Sequence, residues 1–489
     1  MVGIRGIGLA LIVLVATASP VLADAIGPHW GSDKLRAARN VQPVDAVRFR
    51  LHRLRIGAGG RKTASDSEVI LAPDFTFVRT GGQSSLYDHA LCRWLVWPAA
   101  TGGLSSINCH ALPYFFAVEM QNRLVQNKVL PEAARPMMIY EAETELHIAG
   151  NGPGGRPTLT RSSAKDGADY VVADRKVAHI AGDAGALKSD EAVRLIRFLA
   201  LATPVHPEMR RDIAAAGRLP AEIAMDALGP GQGERETLSF SRLEHVKAAY
   251  PLPPGLRPEI DGPAWTKDAA MAGAVKAGVA VLRDPAAHPA PTADALAQRV
   301  AAADAAHRPA AALFAIDALV QLYGQAAIQA PARLAAIRSA FQALSKDSRA
   351  AAILDAGRLA GDVSAKGDRQ AAARTMLEAG GDEDLVDFRD ITLGNLMLGS
   401  SDLDRWDPAL RARLPESAAD GFWRSIAVAP WSAATYHDVG VALLGEQRVD
   451  FAWLAFDLGR ATDPGWRTGI MASIAATESR LEHALPDMF

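Results

Sequence analysis

The sequence predicts an α+β protein, with an N-terminal domain of mixed strands and helices followed by an all-α C-terminal half. Three observations carry that expectation. Up to about residue 250, short segments alternate apolar and polar residues with the period of a half-buried strand. From Tyr250 to Trp265, "YPLPPGLRPEIDGPAW" holds five prolines and two glycines, the chemistry of a linker. Beyond Trp265 alanine dominates, strand formers thin out, and helical blocks follow one another between Pro, Gly and Asp breaks. At 489 residues the chain is too long for one core. The expected division is a leader at 1–25, an α+β domain at 26–250, a Pro-rich linker at 251–266 and a helical domain at 267–489.

The leader is read from "MVGIRGIGLALIVLVATASPVLADA". One basic residue, Arg5, precedes an apolar run from Ile7 to Ala18, and Ala23-Asp24-Ala25 supplies small residues for cleavage. That order is the pattern of a secretory signal peptide. It implies export to the periplasm or the extracellular space. No later segment has the uninterrupted apolar length of a membrane span, so no transmembrane segment is expected in the mature chain. A net charge of −3 offers no general basic field for nucleic acid.

Within the first domain, "VDAVRFRLHRLRI" (44–56) reads as a strand, and "SEVILAPDFTFVRTGG" as one or two more. Arg48 and Arg50 share one face of the first strand, and Arg53 and Arg55 the other. Either pair suits a solvated surface or an anionic glycan or lipid headgroup. "PYFFAVEMQNRLVQNKVL" has helical spacing, and Glu119, Asn122 and Arg123 on it are expected to anchor the sheet. "MMIYEAETELHIAG", "PTLTRSS", "DYVVADRKVAHIAG" and "ETLSFSRLEHV" read as strands. Helices are expected at 189–202 and at 207–216, the second started by His206-Pro207.

The only two cysteines, Cys92 and Cys109, flank a Pro-and-Gly turn. "LYDHALCRWLVW" reads as a strand and "LSSINCHAL" as its return. A hairpin folded about Ala100 and Thr101 makes paired positions sum to 201. Cys92 then lies opposite Cys109, and Trp94 opposite Ile107. Such a pair can form a disulfide in an oxidising compartment, closing a loop whose constraint contributes about 3 kcal/mol. Two buried free thiols, or a metal or redox site, are the other readings. On strands, His89 would point away from Cys92 and His110 away from Cys109, which serves a zinc site poorly.

The helical half becomes specific near its end. In "TYHDVGVALLGEQRVDFAWLAFDLGRATDP", Tyr436, Val439, Gly440 and Leu443 are followed by Ala452, Phe456 and Pro464. Ala418, Phe422 and Pro430 precede those last three by 34 residues each. The spacing resembles a tetratricopeptide repeat. The matching covers about 418–464, and the first helix of the earlier unit departs from the pattern at Asp402, Arg405, Trp406 and Ala409. The resemblance implies a solenoid of paired helices with a concave surface for a protein or peptide. Tyr436, His437 and Trp453 are the residues expected to meet that partner.

No catalytic motif stands out. "GAGGRKTAS" (57–65) has Arg61 where a phosphate loop needs glycine, and reads as a hairpin turn. Asp183-Ala184-Gly185 and Asp355-Ala356-Gly357 lack the hydroxyl residue of an aspartic protease triplet. The twelve histidines show no metal-ligand spacing, and no cofactor is implied. The expected function is therefore that of an exported scaffold binding a protein or peptide of the cell envelope. A carrier or sensor of a small apolar or lipidic ligand, using Phe75, Phe77, Trp94 and Trp97, is the alternative, and an unrecognised hydrolase the third reading.

Overall fold

A computed structural model describes residues 27, 29–39, 42–100, 102–150, 158–226, 235–259, 269–344, 346–362, 364–379, 386–462 and 472–489. The expected signal peptide, Pro464 and much of the expected linker lie outside the described residues. The chain divides into two compact units, one of 30–259 with 475–489, the other of 260–474. The helical domain thus ends before residue 489, because the last fifteen residues group with the α+β unit.

The α+β unit begins with α1 (Ser32–Ala37) and a meander of β1 (Val44–Ile56), β2 (Lys62–Leu71), β3 (Phe75–Thr80), β4 (Gln83–Asp88), β5 (Arg93–Pro98) and β6 (Gly103–Asn108). Two helices follow, α2 (Ala111–Asn127) and α3 (Arg135–Leu146). The second half contains β7 (Thr160–Ala164), β8 (Gly167–Val172), β9 (Arg175–Ala181), β10 (Gly185–Ala186), α4 (Ser189–Ala202), α5 (Pro207–Ala216), β11 (Arg218–Leu219), β12 (Glu222–Asp226), β13 (Arg235–Ala248) and β14 (Arg257–Pro258). Twelve strands form one sheet in the order β14-β6-β5-β4-β3-β2-β1-β13-β12-β9-β8-β7. Only the short β14–β6 pairing among these is parallel.

Alternation explains which face is covered. Val47, Phe49 and Leu51 of β1 point to one side and are buried with Leu238 and Phe240 of β13, Ile223 of β12 and Tyr170 of β8. Leu195, Phe198 and Leu199 of α4 and Met209 and Ile213 of α5 close over them. A bulge in β13 opposite Phe49, where Arg48 pairs with Glu244 but Arg50 with Ser241, places Arg242 at a φ of 56°.

The Cys hairpin has the expected register. Arg93 pairs with Asn108 and Trp94 with Ile107, and the Cys109 amide donates to the Cys92 carbonyl at 3.1 Å. Cys92 and Cys109 form a pair at disulfide distance, with Cα atoms 5.0 Å apart. The single expected strand through "LYDHALCRWLVW" is instead two, β4 and β5. The chain turns between them, and Cys92 adopts a left-handed φ of 51°.

One element is of the wrong type. "MMIYEAETELHIAG" reads as a strand but forms α3, with Pro136 in its first turn and His147 closing it at a φ of 57°. Ile139, Ala142, Glu143 and Leu146 recur at helical spacing and are buried. The carboxyl at Glu143 disguises that stripe in the sequence.

In the helical unit, the described helices are α6 (Ala269–Arg283), α7 (Ala293–Ala305), α8 (Pro309–Tyr323), α9 (Pro331–Leu344), α10 (Ser348–Gly361), α11 (Arg369–Glu378), α12 (Val386–Leu398), α13 (Pro408–Arg411), α14 (Ala418–Val428), α15 (Ala433–Gly445) and α16 (Val449–Thr462). A last helix, α17 (Ala472–Ala484), runs across the boundary between the units. The starts are set by capping side chains: Thr292, Asp347, Asp368, Ser417 and Ser432 each accept a first-turn amide. Small residues let neighbouring helices approach closely. A Cβ added at Gly440 of α15 would meet the Phe456 ring of α16 at 2.1 Å, and one at Gly421 of α14 would meet the Asp390 carbonyl of α12 at 2.9 Å. The degenerate stretch around Asp402–Ala409 is a 3-10 turn and the single-turn α13, so the helix that partners α14 there is α12.

Candidate functional site

Of the three residues expected to meet a partner, two belong to the core. Tyr436 is fully enclosed, donating its hydroxyl to the Pro430 carbonyl at 3.1 Å. Trp453 is 1% exposed and stands edge-on to Phe456, centroids 5.6 Å apart. Gly440, Ala452, Phe422, Phe456 and Pro430 are buried and Ala418 is half-buried. The recurring positions thus fill the space between helices rather than face outward.

His437 is the exception. It is half-buried, with Nδ1 3.3 Å from Asp438 Oδ1 and Nε2 3.3 Å from Ser473 Oγ. Ala434, His437, Val441 and Leu444 recur at i, i+3, i+7 and i+10, which puts them on one face of α15. None of the four is buried, and Val441 is 37% exposed. α15 therefore has two apolar faces, an enclosed one and an accessible one.

The α+β unit has a cleft of about 330 Å³, lined by Arg53, Arg55, Glu145, His147, Asp226 and Glu236 among others. Arg53 and Arg55 lie on the covered face of β1, as their parity requires. The charges are paired: Arg53 with Glu236, Arg123 with both Glu119 and Glu145, and Arg175 with Asp226. Arg123 and Glu119 thus belong to an ion-pair group that links α2 to Glu145 of α3 rather than anchoring the sheet. Beneath it, fully buried Arg210 donates to His147 Nδ1 at 2.9 Å and approaches Asp487 at 3.4 Å. His206 Nδ1 accepts the Glu208 amide, so its Nε2–H donates to buried Glu143 at 3.2 Å. Burial, reinforced by the charge of Arg210, holds His147 neutral down to about pH 3, and burial likewise lowers His206.

Glu143→Ala removes the acceptor of that Nε2–H. The other ring nitrogen is already engaged, so the ring cannot flip to compensate. A loss of roughly 1–3 kcal/mol in unfolding free energy is expected for the stranded donor, read by denaturant titration, with Glu143→Gln costing less.

The aromatic residues considered for an apolar cavity pack on each other. Phe77 stacks on Trp97, Tyr87 on Trp94, and Phe75 meets Tyr250 edge-on.

The third assembly surrounds the cysteines. β6 ends at Asn108, so Cys109 and His110 lie on the turn into α2, where strand alternation no longer applies. The His110 ring comes back to both sulfurs, with Nδ1 3.6 Å from Cys92 Sγ and 3.6 Å from Cys109 Sγ. This corrects the expectation that His110 points away. His89 does lie elsewhere, 3.1 Å from the Thr76 hydroxyl.

Compared with known proteins, the chain matches no family model and no curated sequence.

Proposed function

We propose that the chain is an exported interaction protein of the cell envelope, holding a protein or peptide partner on the accessible face of α15. The observation that carries this reading is the stripe Ala434, His437, Val441 and Leu444. Solvent-facing positions of a packed helix are ordinarily polar, whereas this face sets three apolar side chains around His437, with Asp438 at its edge. The helical unit is read as a tetratricopeptide-like array, supported by the 34-residue spacing of Phe422 and Phe456 and by the close approach at Gly440. Export is supported by the leader pattern and by a cysteine pair suited to an oxidising compartment. Carriage of an apolar or lipidic ligand has less behind it, since the cleft is lined by paired charges.

A photo-crosslinking residue placed at 441 in the full chain, irradiated in envelope extract, is expected to yield a discrete adduct. The same residue at 453 should yield none. Equal labelling at both positions, or adducts only from the α+β unit, would remove the reading.

A further inference from the structure

The Cys92–Cys109–His110 assembly has a second property that a structural disulfide does not need. His110 is buried, and the oxygens around it are well placed for a metal site. Nδ1 is 3.6 Å from Glu478 Oε1 and 3.0 Å from Asn108 Oδ1, Nε2 is 3.0 Å from Glu482 Oε1, and the Phe489 ring covers the imidazole at 5.1 Å. The nearest ligand atoms of Cys92, Cys109 and His110 all lie within 4.8 Å of one another. A tetrahedral zinc with bonds of about 2.3 Å to sulfur and about 2.0–2.1 Å to nitrogen or oxygen has sulfur–nitrogen edges of about 3.6 Å. Both sulfur-to-Nδ1 separations already have that length. Glu482 stands behind the ring, 3.0 Å from Nε2, where an orienting carboxylate belongs.

We propose that, once its disulfide is reduced, this assembly is a zinc site, with Cys92 Sγ, Cys109 Sγ and His110 Nδ1 as its protein ligands and Glu482 orienting the imidazole. A dithiol reductant passes two electrons and two protons to the sulfur–sulfur bond and is itself oxidised to a disulfide. The sulfurs then separate as two thiols. Zn²⁺ takes them as thiolates, releasing their two protons, and Nδ1 gives up the proton it donates to Asn108 Oδ1 so that its lone pair can bind the metal, with Nε2–H facing Glu482. Oxidised, the site is closed by its own covalent bond. Reduced, it is held together through a metal instead. The site thus makes metal occupancy follow the thiol–disulfide state of the compartment.

The test uses the full chain in oxidised and dithiol-reduced, desalted forms, titrated with Zn²⁺ by chelator competition and with Co²⁺ as a spectroscopic substitute. The reduced chain should bind one zinc, and its Co²⁺ complex should show thiolate charge-transfer absorption and intense tetrahedral visible bands. The oxidised chain should bind none. Cys92→Ser with Cys109→Ser should abolish binding. Glu482→Gln should weaken it by about 10-fold or more, and it alters one half-exposed charge, which keeps the test open if His110→Ala fails to fold. A reduced chain that holds zinc no better than the double serine variant, an octahedral cobalt spectrum, or binding indifferent to Glu482→Gln would overturn the proposal.

Discussion

Trp453→Ala is expected to lower the unfolding free energy of the helical unit by roughly 3–5 kcal/mol, the range for truncating a large buried aromatic. The indole is 1% exposed and meets Phe456 edge-on. Phe456 in turn fills the space left open by Gly440. Deleting the indole removes contacts on an element whose neighbours are fixed by that close approach, so the void collapses poorly. Val441→Lys, on the opposite side of the helix pair's seam, should stay within about 0.5 kcal/mol of the parent, as substitutions on an accessible face ordinarily do. Its ammonium also lies one turn from Asp438. Denaturant titration followed by near-ultraviolet circular dichroism separates the two. Equal costs would mean that Val441 is packed and that the two faces of α15 have been assigned wrongly.

Acid should destabilise the α+β unit well above the range where carboxylates titrate. His89 and His147 are each pulled down to about 3, burial being the leading cause in both, with nearby arginines adding to it. Burial also lowers His206, against the opposing pull of Glu143. In the unfolded chain the same imidazoles protonate near pH 6.5. Below that value the unfolded state binds more protons than the folded one, so stability falls as pH falls. Each histidine contributes up to about 1.4 kcal/mol per pH unit between 6.5 and its folded value. Asp88 and Glu141, raised by burial, act in the opposite sense toward the lower end of that window. Unfolding free energy measured from pH 7.5 to 5 should therefore be flat above about 7 and drop steeply below 6.5. His147→Gln and His206→Gln should flatten the slope. A profile level down to pH 5 would mean that these rings are charged in the fold.

Much of the architecture was legible because it rests on local rules. Alternation in 44–56 places Val47, Phe49 and Leu51 on one face, and β1 has those bounds. The Pro-and-Gly turn sets the hairpin register that brings Cys92 opposite Cys109. His206-Pro207 starts α5, with the imidazole serving as the cap. What failed depended on partners far along the chain. The apolar stripe of α3 is interrupted in the sequence by Glu143, whose burial rests on His206, sixty-three residues away. His110 was misplaced because strand alternation was carried one turn too far, and its carboxylate neighbours come from residues 478 and 482.

The site residues teach a sharper lesson. The positions that recur at 34 residues sit where helices approach closely, and of those described all but Ala418 are buried. Tyr436 and Trp453 were chosen because they belong to or adjoin the signature, and both are enclosed for the same reason. The accessible face lies at the intervening positions, 434, 437, 441 and 444. Taking the apolar residues of α15 that the signature leaves out would have found Val441 and Leu444 from sequence alone.

A partner held on that face should depend on Val441. The direct measurement is quantitative affinity capture from envelope extract with the full chain and with Val441→Lys, after confirming that the two share an unfolding midpoint. A partner retained by the parent is expected to be lost by at least 10-fold from the variant at unchanged stability. Retention of the same partner in equal amount by Val441→Lys, with loss instead on altering Arg53 and Arg55, would place binding in the α+β unit and contradict it.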